Sequence, residues 1–146
     1  MVKIINTIIR WSLLGCTIVC AVAMFFPFVN NSIIQKEVEM YMGSVFSTVA
    51  LSLLHILPMI YVAAAGIIGA AWPGSRGTAI TFFLSCIAAL IMTNALFGYS
   101  QYGLVLGAGF YIVLFVSIIA VFLSFLQMIL YLNNKNRHCG SLYNYL

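Results

Sequence analysis

The sequence predicts an all-α, polytopic membrane protein: an antiparallel four-helix transmembrane bundle with both termini on the cytoplasmic side (N-in/C-in). Three observations lead there. The 146 residues are 64% hydrophobic and only 5% charged, with a mean hydropathy of +1.15, outside the range of soluble domains. The charges avoid the apolar runs: none lies between Trp11 and Gln35, between Met40 and Ser75, or between Gly77 and Asn134. A bilayer core takes roughly 20 apolar helical residues to cross, and a charge placed within it costs about 2.5–3.5 kcal/mol. Finally, the basic residues are asymmetric. Lys3, Arg10, Arg76, Lys135 and Arg137 fall on one side of such a bundle, and Lys36 stands alone on the other beside Glu37 and Glu39. Positive residues favour the cytoplasmic side.

Helix 1 is expected over about 8–28, ended by Pro27 and the Asn30-Asn31 pair. Ala21-Val22-Ala23 resembles a leader cleavage site, but the apolar run continues through Phe26 to Val29, long enough to span. Cys16 lies too soon after Arg10 for a lipoprotein leader. An outer loop follows at 29–43, where Ile33, Ile34, Val38, Tyr41 and Met42 recur at helical spacing. That pattern fits a short amphipathic helix on the interface, or an ordered loop packed on the bundle. Asn30-Asn31-Ser32 is a glycosylation triplet, meaningful only in a eukaryotic secretory pathway.

Helix 2 is expected over about 44–71, stopped by Trp72-Pro73-Gly74-Ser75-Arg76-Gly77. Such a compact turn makes helices 2 and 3 antiparallel neighbours. Helix 3 covers about 78–97, the turn at 98–103 sets Tyr99 and Tyr102 at the outer interface, and helix 4 runs over about 104–132. Residues 133–146 form a short polar cytoplasmic tail. The whole chain, 1–146, is then one membrane domain with no room for an extramembrane one. Scattered at membrane ends, the basic residues signal topology rather than nucleic-acid binding.

Candidate sites are few. His55 is the one ionisable side chain deep in a run, roughly 15 Å from the outer end of helix 2 by the helical rise. Pro58, three residues on, has no amide hydrogen for the Leu54 carbonyl and is expected to kink the helix. Depth counting brings Cys16, Cys20 and the 115–117 stretch to a similar level. A Cys/Cys/His metal site or a His55/Met59 haem site can be drawn there. The residues favour a structural or gating role for His55, because three ligands are too few for structural zinc and no second deep histidine exists. The sequence therefore leads us to expect no metal, no cofactor and no catalytic residue. Asn94, with Thr93, is an expected interhelical hydrogen bonder.

Small residues at four-residue spacing mark helix packing: Gly66/Ala70 and Ala65/Gly69 on helix 2, and Gly103/Gly107, with Ala108 and Gly109 adjacent, at the start of helix 4. They let backbones approach where lipid supplies no hydrophobic drive. They serve packing within the bundle, homo-oligomerisation, or docking onto a membrane partner.

Several four-helix activities lack their residues. Small multidrug exporters use a glutamate within the membrane, and both glutamates here are in a loop. Quinone-linked disulfide-forming enzymes need outward-facing cysteine pairs, and no Cys-x-x-Cys occurs. Claudins and tetraspanins carry outer-loop cysteines, and intramembrane proteases need a serine–histidine pair or paired aspartates; the chain has no aspartate.

Phe26-Pro27-Phe28-Val29 after helix 1, with Tyr102-Gly103 and Gly107-Ala108-Gly109-Phe110-Tyr111 opening helix 4, resembles a pattern in small bacterial four-helix membrane proteins of unknown function. Those carry Phe-Leu-Pro-Trp and Gly-Tyr-Gly-Phe-Tyr-Leu at these places. Here Phe28 replaces the tryptophan, and two residues are added within the glycine motif. The resemblance implies an architecture and a bacterial inner membrane, with no activity. The expected function is thus non-enzymatic: a small subunit of a membrane complex, or an immunity or exclusion protein, acting through helix–helix contacts with a membrane-protein partner or its own copies. The alternative is a small oligomeric channel or exporter lined by Ser52, His55, Ser85, Asn94 and Ser117.

Overall fold

The computed structural model describes residues 2–31, 38–41, 49–72, 74–101 and 105–143. Four helices, α1 (Val2–Ala23), α2 (Val49–Ala71), α3 (Ser75–Gln101) and α4 (Ala108–Tyr143), are joined by three short strands, β1 (Pro27–Asn31), β2 (Val38–Tyr41) and β3 (Val105–Leu106). Three helices hold stretches long and apolar enough to cross a membrane, Ile4–Ala23, Ser75–Gly98 and Ala108–Asn134; α2 adds the shorter apolar stretch Ile56–Ala71. Contacts run around the molecule, α1 on α2, α2 on α3, α3 on α4, and α4 back on α1.

The four-helix expectation stands, and three short strands add to it between the helices. Helix α1 stops at Ala23, five residues short of the expected end, and its last turn tightens through Met24 N–H to the Ala21 carbonyl (3.3 Å) and Phe26 N–H to the Ala23 carbonyl (3.1 Å). Pro27 explains this: it has no amide hydrogen, and it biases Phe26 away from helical geometry. The chain then extends as β1, which pairs antiparallel with β2 (Asn31 opposite Val38) and with β3 (Val29 opposite Leu106). The order is β2-β1-β3. Val38–Tyr41 is therefore a strand, not part of an interfacial helix; residues 32–37 and Met42 lie outside the described residues. Pairing with β1 also explains why α4 starts at Ala108 rather than 104.

At the other end, α3 begins three residues earlier than expected. Thr78 N–H bonds the Gly74 carbonyl (3.0 Å), and the Thr78 hydroxyl bonds the Gly74 and Ser75 carbonyls (3.2 and 3.0 Å). A side chain at Gly77 would collide with the Trp72 carbonyl oxygen, so glycine lets the first turn of α3 close against the end of α2. Helix α4 continues through the expected polar tail to Tyr143. At 1.5 Å per residue its 36 residues reach about 54 Å, well beyond a hydrocarbon core of about 30 Å.

Each helix buries one seam at alternating three- and four-residue steps, the spacing of coiled-coil packing. On α1 the seam is Ile9, Leu13, Cys16, Cys20 and Ala23, and on α3 it is Thr78, Thr81, Ser85, Ala88, Met92 and Ala95. On α4 it is Phe110, Val113, Ser117, Ala120, Ser124 and Gln127. Small and weakly polar side chains make up much of the interior, beside Leu13, Met92 and Phe110. Many large apolar ones face outward, among them Trp11, Ile18, Phe25, Phe83, Leu90, Phe97, Phe115 and Phe122. A water-soluble protein arranges these classes the other way round. So extensive an apolar exterior marks a lipid-facing surface.

Candidate functional site

The interior divides along its length. Toward the sheet, an apolar cluster joins Cys16, Cys20, Met59, Val62, Met92, Phe110 and Val113, with Leu106 of β3 packed against it. Away from the sheet the seam turns polar: Thr78, Thr81, Ser85, Ser117, Ser124 and Gln127 are all buried. Most of these groups need no partner helix. Thr81 bonds the Gly77 carbonyl (2.8 Å), Ser85 the Thr81 carbonyl (2.9 Å), Ser117 the Val113 carbonyl (2.7 Å) and Ser124 the Val121 carbonyl (2.9 Å). Each hydroxyl thus donates back into its own helix, which satisfies it in a dry interior and lets helices pack closely.

Gln127 is different. At 1% exposure, its amide Nε2 donates to the Gly69 carbonyl of α2 at 3.2 Å, a bond between helices distant in sequence. Its Oε1 is buried without a hydrogen-bond partner, as is Nε of Arg10 on α1. The same level holds two close approaches between helices. A Cβ on Gly66 would collide with the Thr17 hydroxyl and lie 2.8 Å from the Leu13 carbonyl oxygen. One on Gly69 would meet Leu13 Cδ1 at 3.0 Å and Thr81 Cγ2 at 3.2 Å. The two glycines of α2 therefore face α1 and α3 of the same chain, where Leu13, Thr81 and Gln127 converge.

The remaining expected residues are dispersed. Pro58 is buried inside α2 and breaks the hydrogen-bond ladder at Leu54 by its chemistry. His55 lies on the same helix, but its side chain is outside the described residues, as is Ser52's. Asn94 falls off the buried seam and is exposed. Its neighbour Thr93 bonds the Ala89 carbonyl (2.8 Å). Ala70 is half-buried, while Gly107 and Gly109 are buried at the start of α4; Gly103 lies outside the described residues. Cys16, Cys20 and Cys86 are free thiols. No group of three or more His, Cys, Asp or Glu side chains converges among the described residues. Sequence reasoning missed Gln127, Thr78, Thr81 and Ser124, whose three- and four-residue spacing was the available signal.

Two grooves open on the lipid-facing side. One lies between α1 and α2, lined by Cys20, Met24 and Met59 among others. The other lies between α3 and α4, lined by Phe82, Ala89, Ile118 and Phe125, with the Phe82 and Phe125 rings 6.0 Å apart. Compared with family models, curated proteins and solved structures, the chain matches none.

Proposed function

We propose that this chain is a four-span protein of a bacterial inner membrane, an antiparallel bundle with both termini in the cytoplasm. In this reading it acts without catalysis, by helix–helix contact with another membrane protein or with its own copies. A small subunit of a membrane complex and an immunity or exclusion protein are the two forms this takes. One observation carries the reading: the buried hydroxyls of Thr81, Ser85, Ser117 and Ser124 all bond back into their own helices. These four hydroxyls therefore need no partner beyond their own helices, and the outward apolar faces are the surfaces free to engage another protein.

Photo-crosslinking from outward positions such as Phe83 and Phe122 in native membranes, read by mass spectrometry, tests it. The reading requires a defined membrane-protein adduct that disappears when the photoreactive group is moved to a seam position such as Ala88. Adducts with lipid alone from every outward position would count against it.

The rival reading is a small channel or exporter. Ser85 and Ser117 of its proposed lining are fully buried within one chain, and Asn94 is on the outside. A pore would therefore have to form between copies rather than through one.

A further inference from the structure

The groove between α1 and α2 is a cavity of about 180 Å³. Three sulfur-bearing residues are among those that line it: Cys20 of α1, Met24 of the turn that closes α1, and Met59 of α2. Cys20 and Met59 are almost fully buried, and Met24 is partly exposed. The hydroxyl lining the same cavity, that of Thr17, points its hydrogen at the Leu13 carbonyl (3.4 Å). Among the described residues, no carboxylate or imidazole lines it.

We propose that Cys20, Met24 and Met59 form a binding site for a soft monovalent metal ion, Cu(I), for which Ag(I) is the closed-shell analogue. The donor set selects the ion. Thioethers bind hard cations poorly, whereas thiolate and thioether sulfur together favour Cu(I). Charge selects it again. One thiolate and one monovalent ion sum to zero, which a low-dielectric setting tolerates; a divalent ion on the same ligands leaves a net positive charge in the bilayer. Binding breaks the Cys20 S–H bond, forms a sulfur–metal bond and releases one proton to water at the interface. No electron moves and the metal stays monovalent. The position permits that exchange: Cys20 is three residues from the end of α1, about 4.5 Å along the axis, and Met24 sits in the closing turn. Cys16, one turn deeper, does not line the cavity, nor does Met92, although both belong to the same buried cluster.

The test is anaerobic competition for Cu(I) between the purified full chain in detergent and the chromophoric chelator bicinchoninate. The wild-type chain should withdraw one Cu(I) per chain, more weakly as the pH falls, since a proton is displaced. Cys20→Ser should abolish the withdrawal. Met24→Leu and Met59→Leu, close in volume and so kept folded, should each weaken it by at least about tenfold, the smallest loss seen even for outer-shell changes at metal sites. Met92→Leu and Cys86→Ser should leave it unchanged. X-ray absorption of the Ag(I)-loaded chain should return a sulfur-only shell. No withdrawal by the wild-type chain overturns the proposal, as does binding unchanged in Cys20→Ser or in either methionine variant at the site.

Discussion

Replacing Gly66 by alanine tests whether the small residues of α2 serve this chain's own packing. The added Cβ collides with the Thr17 hydroxyl and comes within 2.8 Å of the Leu13 carbonyl oxygen. The first contact can be relieved by rotating Thr17, at the loss of its 3.4 Å bond to Leu13. The second cannot, because a backbone oxygen moves only if α1 moves. Overpacking of this kind costs about 1–3 kcal/mol. Alanine also favours the helix over glycine by about 0.5–1 kcal/mol, so the raw change understates the clash. Gly15→Ala supplies the reference, since its Cβ meets nothing within 4 Å and only the propensity gain remains. The stability difference between the two variants should therefore be about 1–3 kcal/mol in favour of Gly15→Ala. Reversible unfolding in mixed micelles, titrated with dodecyl sulfate and followed by circular dichroism, measures it. Thr17→Ala in the Gly66→Ala background should recover part of the loss and leave the Leu13 share. Equal stability of the two alanine variants would refute the reasoning, and a changed oligomer mass with unchanged stability would move Gly66 to an interface between copies.

Three further outcomes follow. Gln127→Leu removes one interhelical bond together with an unpartnered Oε1, so stability in the same assay should change by less than about 1 kcal/mol; Gln127→Ala, which leaves a cavity, should lose about 2 kcal/mol or more. In a cysteine-free background, Ser100→Cys, exposed near the end of α3, should react with impermeant maleimide added outside the cell; labelling only from the cytoplasmic side reverses the proposed orientation. His55→Gln should keep the unfolding midpoint, because a side-chain amide can replace a neutral imidazole's hydrogen bond, and a collapse of folding would assign His55 a role that depends on the ring.

Charge and hydropathy made the four helices legible, because a charge inside a bilayer core is costly enough to be excluded from every apolar run. They did not make the ends legible. Pro27 was visible, yet hydropathy alone carries helix 1 on through Phe28, whereas the missing amide hydrogen ends it at Ala23. The strand at Val38–Tyr41 depends on pairing with β1, which its own helical-looking spacing does not reveal. The α4 seam was hidden for a different reason. In a chain of nearly uniform hydropathy, the buried face is marked by small and weakly polar residues, so Ser117, Ser124 and Gln127 read as interruptions rather than as a core. Asn94 falls off the Thr78–Ala95 seam, a placement its residue type alone does not reveal. The grouping of Cys20, Met24 and Met59 depends on how α1 and α2 sit against each other, a register held by the close approach of Gly66 to Leu13 and Thr17 and not readable from either helix alone.

The central claim, a packed membrane protein that works by contact rather than conduction, meets its most direct test in proteoliposomes. Purified protein reconstituted at defined density should give ion and small-solute flux no greater than empty liposomes, across a range of protein-to-lipid ratios that would favour assembly of copies. Robust flux that rises with protein density and is abolished by His55→Gln or Asn94→Ala would contradict the claim and establish the chain as a pore.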